Sequence, residues 1–118
     1  MRGFAHRDFP VYRLAIELLA LGGDAVREVD PLYRALVWQL LRAVHSIALN
    51  IAEGADESSP GDKARFYRYA RRSAAETSAA VDGLAALRQL TPEFVELAHS
   101  RCNTIAAHLT RLIRTLKA

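Results

Sequence analysis

A helix-forming stretch near the middle of the chain constrains the fold more than any other feature. Between Gln39 and Gly54, apolar residues recur at steps of four, three and four. These residues are Leu40, Val44, Ile47 and Ile51. Such spacing places side chains on one face of an α-helix. The stretch therefore predicts an amphipathic helix that buries this face in a core.

A second stripe on the same predicted helix is polar throughout. It consists of Gln39, Arg42, Ser46, Asn50 and Glu53. Short hydrogen-bonding side chains in a row favour a half-buried network between helices, in which each donor needs a partner. We expect Arg42 to pair with Glu53, or with Glu76 on the next helix, and the network to set register rather than perform chemistry. The alternative interpretation is an ordinary solvated face.

The segment before this stretch predicts a first helix. It begins at Asp8, a favourable N-cap residue, and ends near Arg27, with Gly22-Gly23 weakening it close to its end. Its apolar seam consists of Val11, Leu14, Leu18, Leu21 and Ala25. Ile16 and Leu19 lie off that seam, so the helix is apolar on more than one side. The surplus apolar surface indicates either additional core or a contact between subunits.

Dipeptides that end in proline mark the starts of the other three helices. Asp30-Pro31, Ser59-Pro60 and Thr91-Pro92 each combine a capping side chain with proline at the first helical position. We expect the second helix to run to about Ala52, with Gly54 as its stop, and the third to end near Leu90. No segment alternates with the period of a strand. The prediction is an all-α, antiparallel, up-down-up-down four-helix bundle that forms a single domain over residues 1–118.

Composition narrows the class of protein and its compartment. The chain has 118 residues, 51% of them hydrophobic, which is enough for one core. No continuous run of 18 apolar residues occurs, so we expect no membrane span and no membrane partner. The N-terminal residues lack the apolar segment of a signal peptide. With Cys102 as the single cysteine, no intramolecular disulfide can form, and we expect a cytoplasmic protein.

The central stretch also resembles a known family. The pattern Q-x-x-R-A-x-x-S-I-x-x-N-I-A-E-G is formed here by Gln39, Arg42, Ala43, Ser46, Ile47, Asn50, Ile51, Ala52, Glu53 and Gly54. It is similar to the bacterial four-helix-bundle family of the 23S rRNA intervening-sequence proteins, whose relatives include the accessory variability proteins of diversity-generating retroelements. A second motif of that family resembles Phe66, Ala70, Ser73 and Glu76. The resemblance implies a ring of five bundles and no established catalysis.

The chain departs from the family pattern at charged positions. Leu41 stands where the family has the first of two arginines, and Glu57 stands where a further arginine is usual. Conversely, Arg72 replaces a glycine and Lys63 replaces a phenylalanine. Positive charge is therefore lost near the first motif and gained on the third helix.

Metal-dependent and nucleophilic chemistry have little support in the sequence. A di-iron bundle needs two Glu-x-x-His motifs and two more inward carboxylates, whereas this chain has the single motif Glu96-x-x-His99. Cys102 lies one turn from His99 but belongs to an apolar seam. His45 and Ser46 are adjacent, so on a helix they point about 100° apart. We predict no metal, no cofactor and no enzymatic activity.

A cluster of positive charge on the third helix is the strongest functional indication. Net charge is only +3, yet residues 63–72 contain five basic side chains and no acidic one. Four of them form a candidate nucleic-acid surface, namely Arg65, Arg68, Arg71 and Arg72. Tyr67 and Tyr69 lie between them and would either stack on bases or pack. The alternative interpretation is a solvated helix face.

The sequence as a whole predicts a non-enzymatic, oligomeric bundle that binds RNA or DNA through these arginines. Surplus apolar surface on the first two helices predicts self-association, and the resemblance implies a cyclic pentamer. The alternative is a structural protein–protein interaction module, such as a reverse-transcriptase accessory protein, without direct nucleic-acid contact. A metal-dependent enzyme is the third and weakest hypothesis.

Overall fold

Four α-helices make up most of the part of the chain that the computed structural model describes, residues 3–116. They are α1 (Pro10–Ala25), α2 (Arg34–Asp56), α3 (Pro60–Ala86) and α4 (Pro92–Thr115). Short 3-10 helices, Ala5–Asp8 and Pro31–Tyr33, precede α1 and α2. Each helix packs against its neighbours in sequence, α4 closes against α1, and residues 3–116 contain no strand. The predicted all-α four-helix bundle is confirmed.

Side-chain caps begin the last two helices as the sequence predicts. Ser59 and Thr91 each accept a hydrogen bond from a backbone N–H in the first turn of their helix. Asp30 does the same for Leu32 N at 2.9 Å, but it caps the 3-10 turn, and α2 begins only at Arg34. Pro60 and Pro92 therefore mark the starts of α3 and α4, whereas Pro31 begins the 3-10 turn before α2.

The start of α1 and the end of α2 differ from the predictions. Asp8 belongs to the first 3-10 helix, and Phe9 occupies the N-cap position of α1 without a side-chain hydrogen bond. α2 continues through Gly54 and ends at Asp56. Gly54 is buried against the ring of Tyr67, where an added Cβ would lie 2.6 Å from Tyr67 Cε1. This glycine permits a close helix contact and does not stop the helix.

α1 ends close to the predicted position, whereas α3 ends early. α1 passes through Gly22-Gly23 and ends at Ala25. α3 ends at Ala86, several residues before the predicted end, because Arg88 adopts a left-handed backbone conformation with φ 59°. Gln89 N then donates to Leu84 O at 3.0 Å. This bond closes the helix in the way that is usual for glycine-terminated helices.

All four helices contribute to one apolar core. The large side chains that are completely buried include Leu18, Leu40, Ile47, Ile51, Leu84, Ile105 and Leu109. The predicted apolar face of α2 is buried in full. α1 is rotated relative to the prediction, since its buried residues are Val11, Ala15, Leu18 and Gly22. Leu14 and Leu21 are only partly buried.

α2 is also apolar enough to cross a membrane by length and composition. The segment Pro31–Asp56 has a mean hydropathy of 1.3 over an 18-residue window, although we expected no such segment. The core helix of a water-soluble bundle meets the same criterion. Eight residues of α2 are buried in this bundle, so the finding is weak support for a membrane span.

Candidate nucleic-acid interface

The first half of α3 (residues 60–72) points its arginines away from the core. Ala64, Tyr67 and Ala70 take the buried side of this half, which leaves Arg65, Arg68 and Arg72 exposed. Steps of three and four keep these three side chains on one side of the helix. We call the set Arg65, Arg68, Arg71 and Arg72 the basic face.

Three arginines of the basic face are exposed and weakly held. Arg65 Nη2 lies 3.4 Å from Asp62 Oδ1, in an exposed pair of a kind that contributes little to stability. The guanidinium of Arg72 lies over the ring of Tyr69, 5.9 Å from its centroid. Within residues 3–116, neither Arg68 nor Arg72 forms an ion pair. Their guanidinium groups are therefore open to an anion.

Arg71 occupies a different position, at the contact with α4. It is half-buried, and its Nη1 donates to Thr110 Oγ1 at 3.1 Å. A guanidinium has five N–H donors, so this bond leaves several of them free. α4 carries two further exposed arginines close to Thr110 in sequence, Arg111 and Arg114. Arg71 thus borders the exposed set at the contact between α3 and α4.

The two tyrosines of this half have opposite environments. Tyr67 is buried against Gly54, and burial, with a smaller contribution from the charge of Asp56, raises its pKa. Its ring is packed inside the bundle and cannot stack on a nucleobase. Tyr69 is 38% exposed, and its ring meets the edge of Phe66. Only Tyr69 remains accessible beside the arginines.

Lys63 does not join the basic face. Its Nζ donates to the carbonyl oxygens of Gly54 and Ala55, at 3.2 and 2.9 Å. These carbonyls lie in the last turn of α2, where helical partners are missing and the helix dipole is negative. Lys63 therefore fastens the end of α2 to the start of α3.

The polar stripe of α2 has a hydrogen-bonded centre. Ser46 Oγ and Ser73 Oγ lie 2.9 Å apart and join α2 to α3. Asn50 Nδ2 donates to the carbonyl oxygen and to Oγ of Ser46. Ser73 is buried, so water does not reach its hydroxyl, and Ser46 supplies the hydrogen-bond partner that it needs.

The charged members of the stripe do not form the predicted pair. Arg42, Glu53 and Glu76 are exposed, and no ion pair within residues 3–116 joins Arg42 to either glutamate. The guanidinium of Arg42 lies over the ring of Trp38 instead, 5.2 Å from its centroid. An open cleft, which Gln39 also lines, separates Arg42 from Glu76. Water solvates the charges of both side chains there, so neither needs the other as a partner.

A hydrogen-bonded serine, histidine and aspartate connect α3 to α4, and our sequence analysis missed them. His99 Nε2 lies 2.9 Å from Asp82 Oδ1, and Nδ1 lies 2.9 Å from Ser78 Oγ. These residue types activate nucleophiles in hydrolases. Ser78 lies inside a helix, however, where backbone N–H groups bond within the helix and offer no oxyanion site. We interpret the three residues as a link between helices.

The other candidate residues for chemistry lie apart. His45 is exposed, while its neighbour Ser46 bonds to Ser73. Burial raises the pKa of the Cys102 thiol to about 11, so the metal-binding thiolate is scarce at neutral pH. Among residues 3–116, no three His, Cys, Asp or Glu side chains come together as a metal site.

Comparison with known proteins agrees with the motif on α2. The model of the family described as 23S rRNA-intervening sequence protein matches residues 8–111, which include nearly all of the four helices. A search of curated proteins finds no match. The likeness to retroelement accessory proteins stays a prediction, because no comparison tests it. With most of its length matched, the chain belongs to the 23S rRNA-intervening sequence protein family.

Proposed function

We propose that this protein is a non-enzymatic, oligomeric bundle that binds RNA, or another nucleic acid, through the basic face. The supporting observation is that Arg65, Arg68 and Arg72 are exposed on one side of one helix. No acidic residue lies between Asp62 and Glu76 in the sequence. The family description refers to an intervening sequence of 23S rRNA, which makes RNA the first ligand to test.

The spacing of the exposed arginines suits the sugar–phosphate backbone. Arg65 and Arg72 are two helical turns apart, roughly 10 Å along the axis. This distance lets the side chains contact neighbouring phosphates of one strand. Phosphate contacts carry no sequence information, and they release counterions. Binding should therefore depend weakly on sequence and strongly on salt.

Self-association is the second part of the proposal. The exposed apolar surface lies on α2 as well as α1, with Trp38 61%, Leu49 53% and Ile16 39% exposed. Large exposed apolar side chains favour association, and the family resemblance makes a cyclic pentamer the expected form. A ring would repeat the basic face in each subunit and so bind multivalently. Light scattering behind a sizing column tests this: a monomer at micromolar concentration would contradict association, and another number would contradict only the pentamer.

A gel-shift titration at several salt concentrations tests nucleic-acid binding. The log–log slope should be about −0.7 per phosphate contacted on a single strand, or about −0.9 on a duplex. The double variant Arg65→Glu/Arg68→Glu should flatten this slope and weaken binding to all sequences alike. The matched control is Arg13→Glu/Arg27→Glu, which makes the same change in charge at exposed positions on and just after α1, a helix that does not contact α3. The control should bind nearly as well as the wild type.

The absence of any shift at low salt, with both RNA and DNA, would show that the basic face is only solvated. The protein-interaction alternative would then take its place, with a reverse transcriptase among the partners to test. Exposed Trp38 and Leu49 are the residues that support it, since apolar side chains of this size commonly lie in protein interfaces. Equal binding by the two double variants would leave nucleic-acid binding standing and contradict its assignment to α3.

A further inference from the structure

A cleft of about 750 Å³ opens between α2 and α3, next to the basic face. Its α2 wall carries Trp38, Gln39 and Arg42, and its α3 wall carries Glu76, Ala79 and Gly83. The α3 wall is formed largely by small residues, and a Cβ added to Gly83 would meet no atom within 4 Å. Glu76 follows Arg72 by one helical turn. The cleft therefore begins where the exposed arginines end.

The α2 wall offers two surfaces for stacking. Trp38 is 61% exposed, and the guanidinium of Arg42 covers part of its ring. Aromatic rings and guanidinium planes are the surfaces on which proteins stack unpaired bases. A planar group in the cleft would bury apolar indole surface that is now in water.

Two polar side chains in the cleft have unused hydrogen-bonding groups. Within residues 3–116, neither Gln39 nor Glu76 makes a side-chain hydrogen bond or ion pair. The carboxylate of Glu76 only accepts hydrogen bonds and repels a phosphate, whereas the amide of Gln39 both donates and accepts. A base with an exocyclic amino group, such as cytosine, adenine or guanine, can donate to Glu76. The cleft thus suits a neutral base better than a phosphate.

We infer that this cleft binds an unpaired, amino-bearing nucleobase of a strand whose phosphates lie on the basic face. The base stacks on the Trp38–Arg42 pair, and its amino group donates to Glu76. A paired base cannot reach these groups, so the ligand is single-stranded. This inference rests on the proposed function and adds a base contact to it.

The experiment compares strands that have the same phosphates and different bases. Trp38 is the only tryptophan, so its fluorescence reports on the cleft directly. We expect a cytosine oligonucleotide to quench it and to bind about tenfold more tightly than an abasic strand of equal length, because each stacked base contributes substantially to affinity. A uracil oligonucleotide, which lacks the amino group, should fall between them.

Two variants disrupt the proposed base site without a change of charge. Trp38→Ala deletes the stacking surface, and Gly83→Leu fills the open space. Each should abolish the advantage of the cytosine strand, measured by gel shift, and leave binding to the abasic strand unchanged. Leu49→Ala removes another exposed apolar side chain of α2 outside the cleft, so it should retain the full advantage. Melting temperatures establish that the variants are folded, and Gly83→Leu should not be less stable, because glycine is a poor helix former.

Each remaining outcome decides between the two proposals. If the cytosine advantage survives both cleft variants, the inference is wrong and phosphate binding stands. If Arg65→Glu/Arg68→Glu binds every strand like the wild type, including the abasic one, the basic face itself is contradicted. If the cleft variants change the molecular mass measured by light scattering but leave the preference for the cytosine strand unchanged, the cleft is a contact between subunits. The base-binding inference is then wrong.

Discussion

The two halves of α3 use different means to pack against the same neighbours. In the first half, residues 60–72, a large ring fits a glycine, because Tyr67 is buried against Gly54 of α2. In the second half, residues 73–86, a hydroxyl pair joins the two helices, because Ser73 contacts Ser46 of α2. Val81 and Leu84 supply the apolar packing there. Buried residues continue along one side of the helix through both halves.

This difference decides what each half shows to the solvent. In the first half, the ring of Tyr67 fills the buried side, and the exposed side carries long arginines. The second half keeps Val81 and Leu84 in the core, whereas small exposed residues, Ala79 and Gly83, line the cleft. Close fit makes the first half intolerant of added atoms, whereas the second half has room for them.

The same substitution in the two regions should give the largest contrast. Gly54→Ala places a Cβ about 2.6 Å from a buried ring, so the free energy of unfolding should fall by about 1–3 kcal/mol, despite the higher helix propensity of alanine. Gly83→Ala adds a methyl group in open space and should raise it by up to about 1 kcal/mol. Urea unfolding measures both.

Replacement of the ring tests the cause of this contrast. In a double-mutant cycle, Tyr67→Leu should relieve much of the cost of Gly54→Ala, because the atoms that clash are removed. Strict additivity of the two substitutions would contradict the ring–glycine contact. Equal effects at Gly54 and Gly83 would remove the difference between the halves altogether.

The starts of α3 and α4 and the core of α2 were predictable because they depend on local chemistry. A serine or threonine before proline acts within one turn, as Ser59 and Thr91 do. The apolar period of α2 likewise fixes which of its residues are buried, Ile47 and Ile51 among them. None of these features requires knowledge of another helix.

Features that depend on a neighbouring helix were not predictable. Glycine commonly ends a helix, so Gly54 alone predicts a helix end. Only the position of Tyr67 shows that Gly54 permits a close contact between helices instead. Arg42 and Glu76 had suitable charges for a pair, yet the cleft between them keeps both hydrated. Ser78, Asp82 and His99 come together through the register of α3 against α4. An i, i+4 serine and aspartate was the only local sign of that link.

The hydroxyl contact of the second half should contribute less than the ring–glycine contact. Ser46→Ala leaves the buried hydroxyl of Ser73 without this partner and should cost about 1 kcal/mol. The double variant Ser46→Ala/Ser73→Ala should cost less than the sum of the single ones, because no unsatisfied group remains. Thermal unfolding of the three variants measures the coupling, and additive losses would argue against the bond.

Alkaline pH should destabilise the protein through two buried side chains that lose a proton, one on α3 and one on α4. Burial raises the pKa of Tyr67 and raises that of Cys102, on α4, to about 11. In the unfolded chain both groups lose their protons at lower pH, so their contribution is fully present below about pH 8.5 and is lost as the pH rises toward 11. Tyr67→Phe and Cys102→Ala should each reduce the fall in stability between about pH 7.5 and pH 10.5. Urea unfolding at both values measures this, and a variant with the full wild-type fall would exclude that group as a cause.

The smallest effect should come from the hydrogen bond that ties the basic face to α4. Thr110→Val removes the acceptor of Arg71 with little change in volume. Because Arg71 is only half-buried, water can replace the lost partner, and the free energy of unfolding should fall by less than about 1 kcal/mol. The freed guanidinium keeps its charge, so binding of a single strand should be unchanged or tighter in the gel-shift assay. Weaker binding by Thr110→Val at unchanged stability would mean that Thr110 holds Arg71 in its binding position, and the contact with α4 would then belong to the interface and not only to the fold.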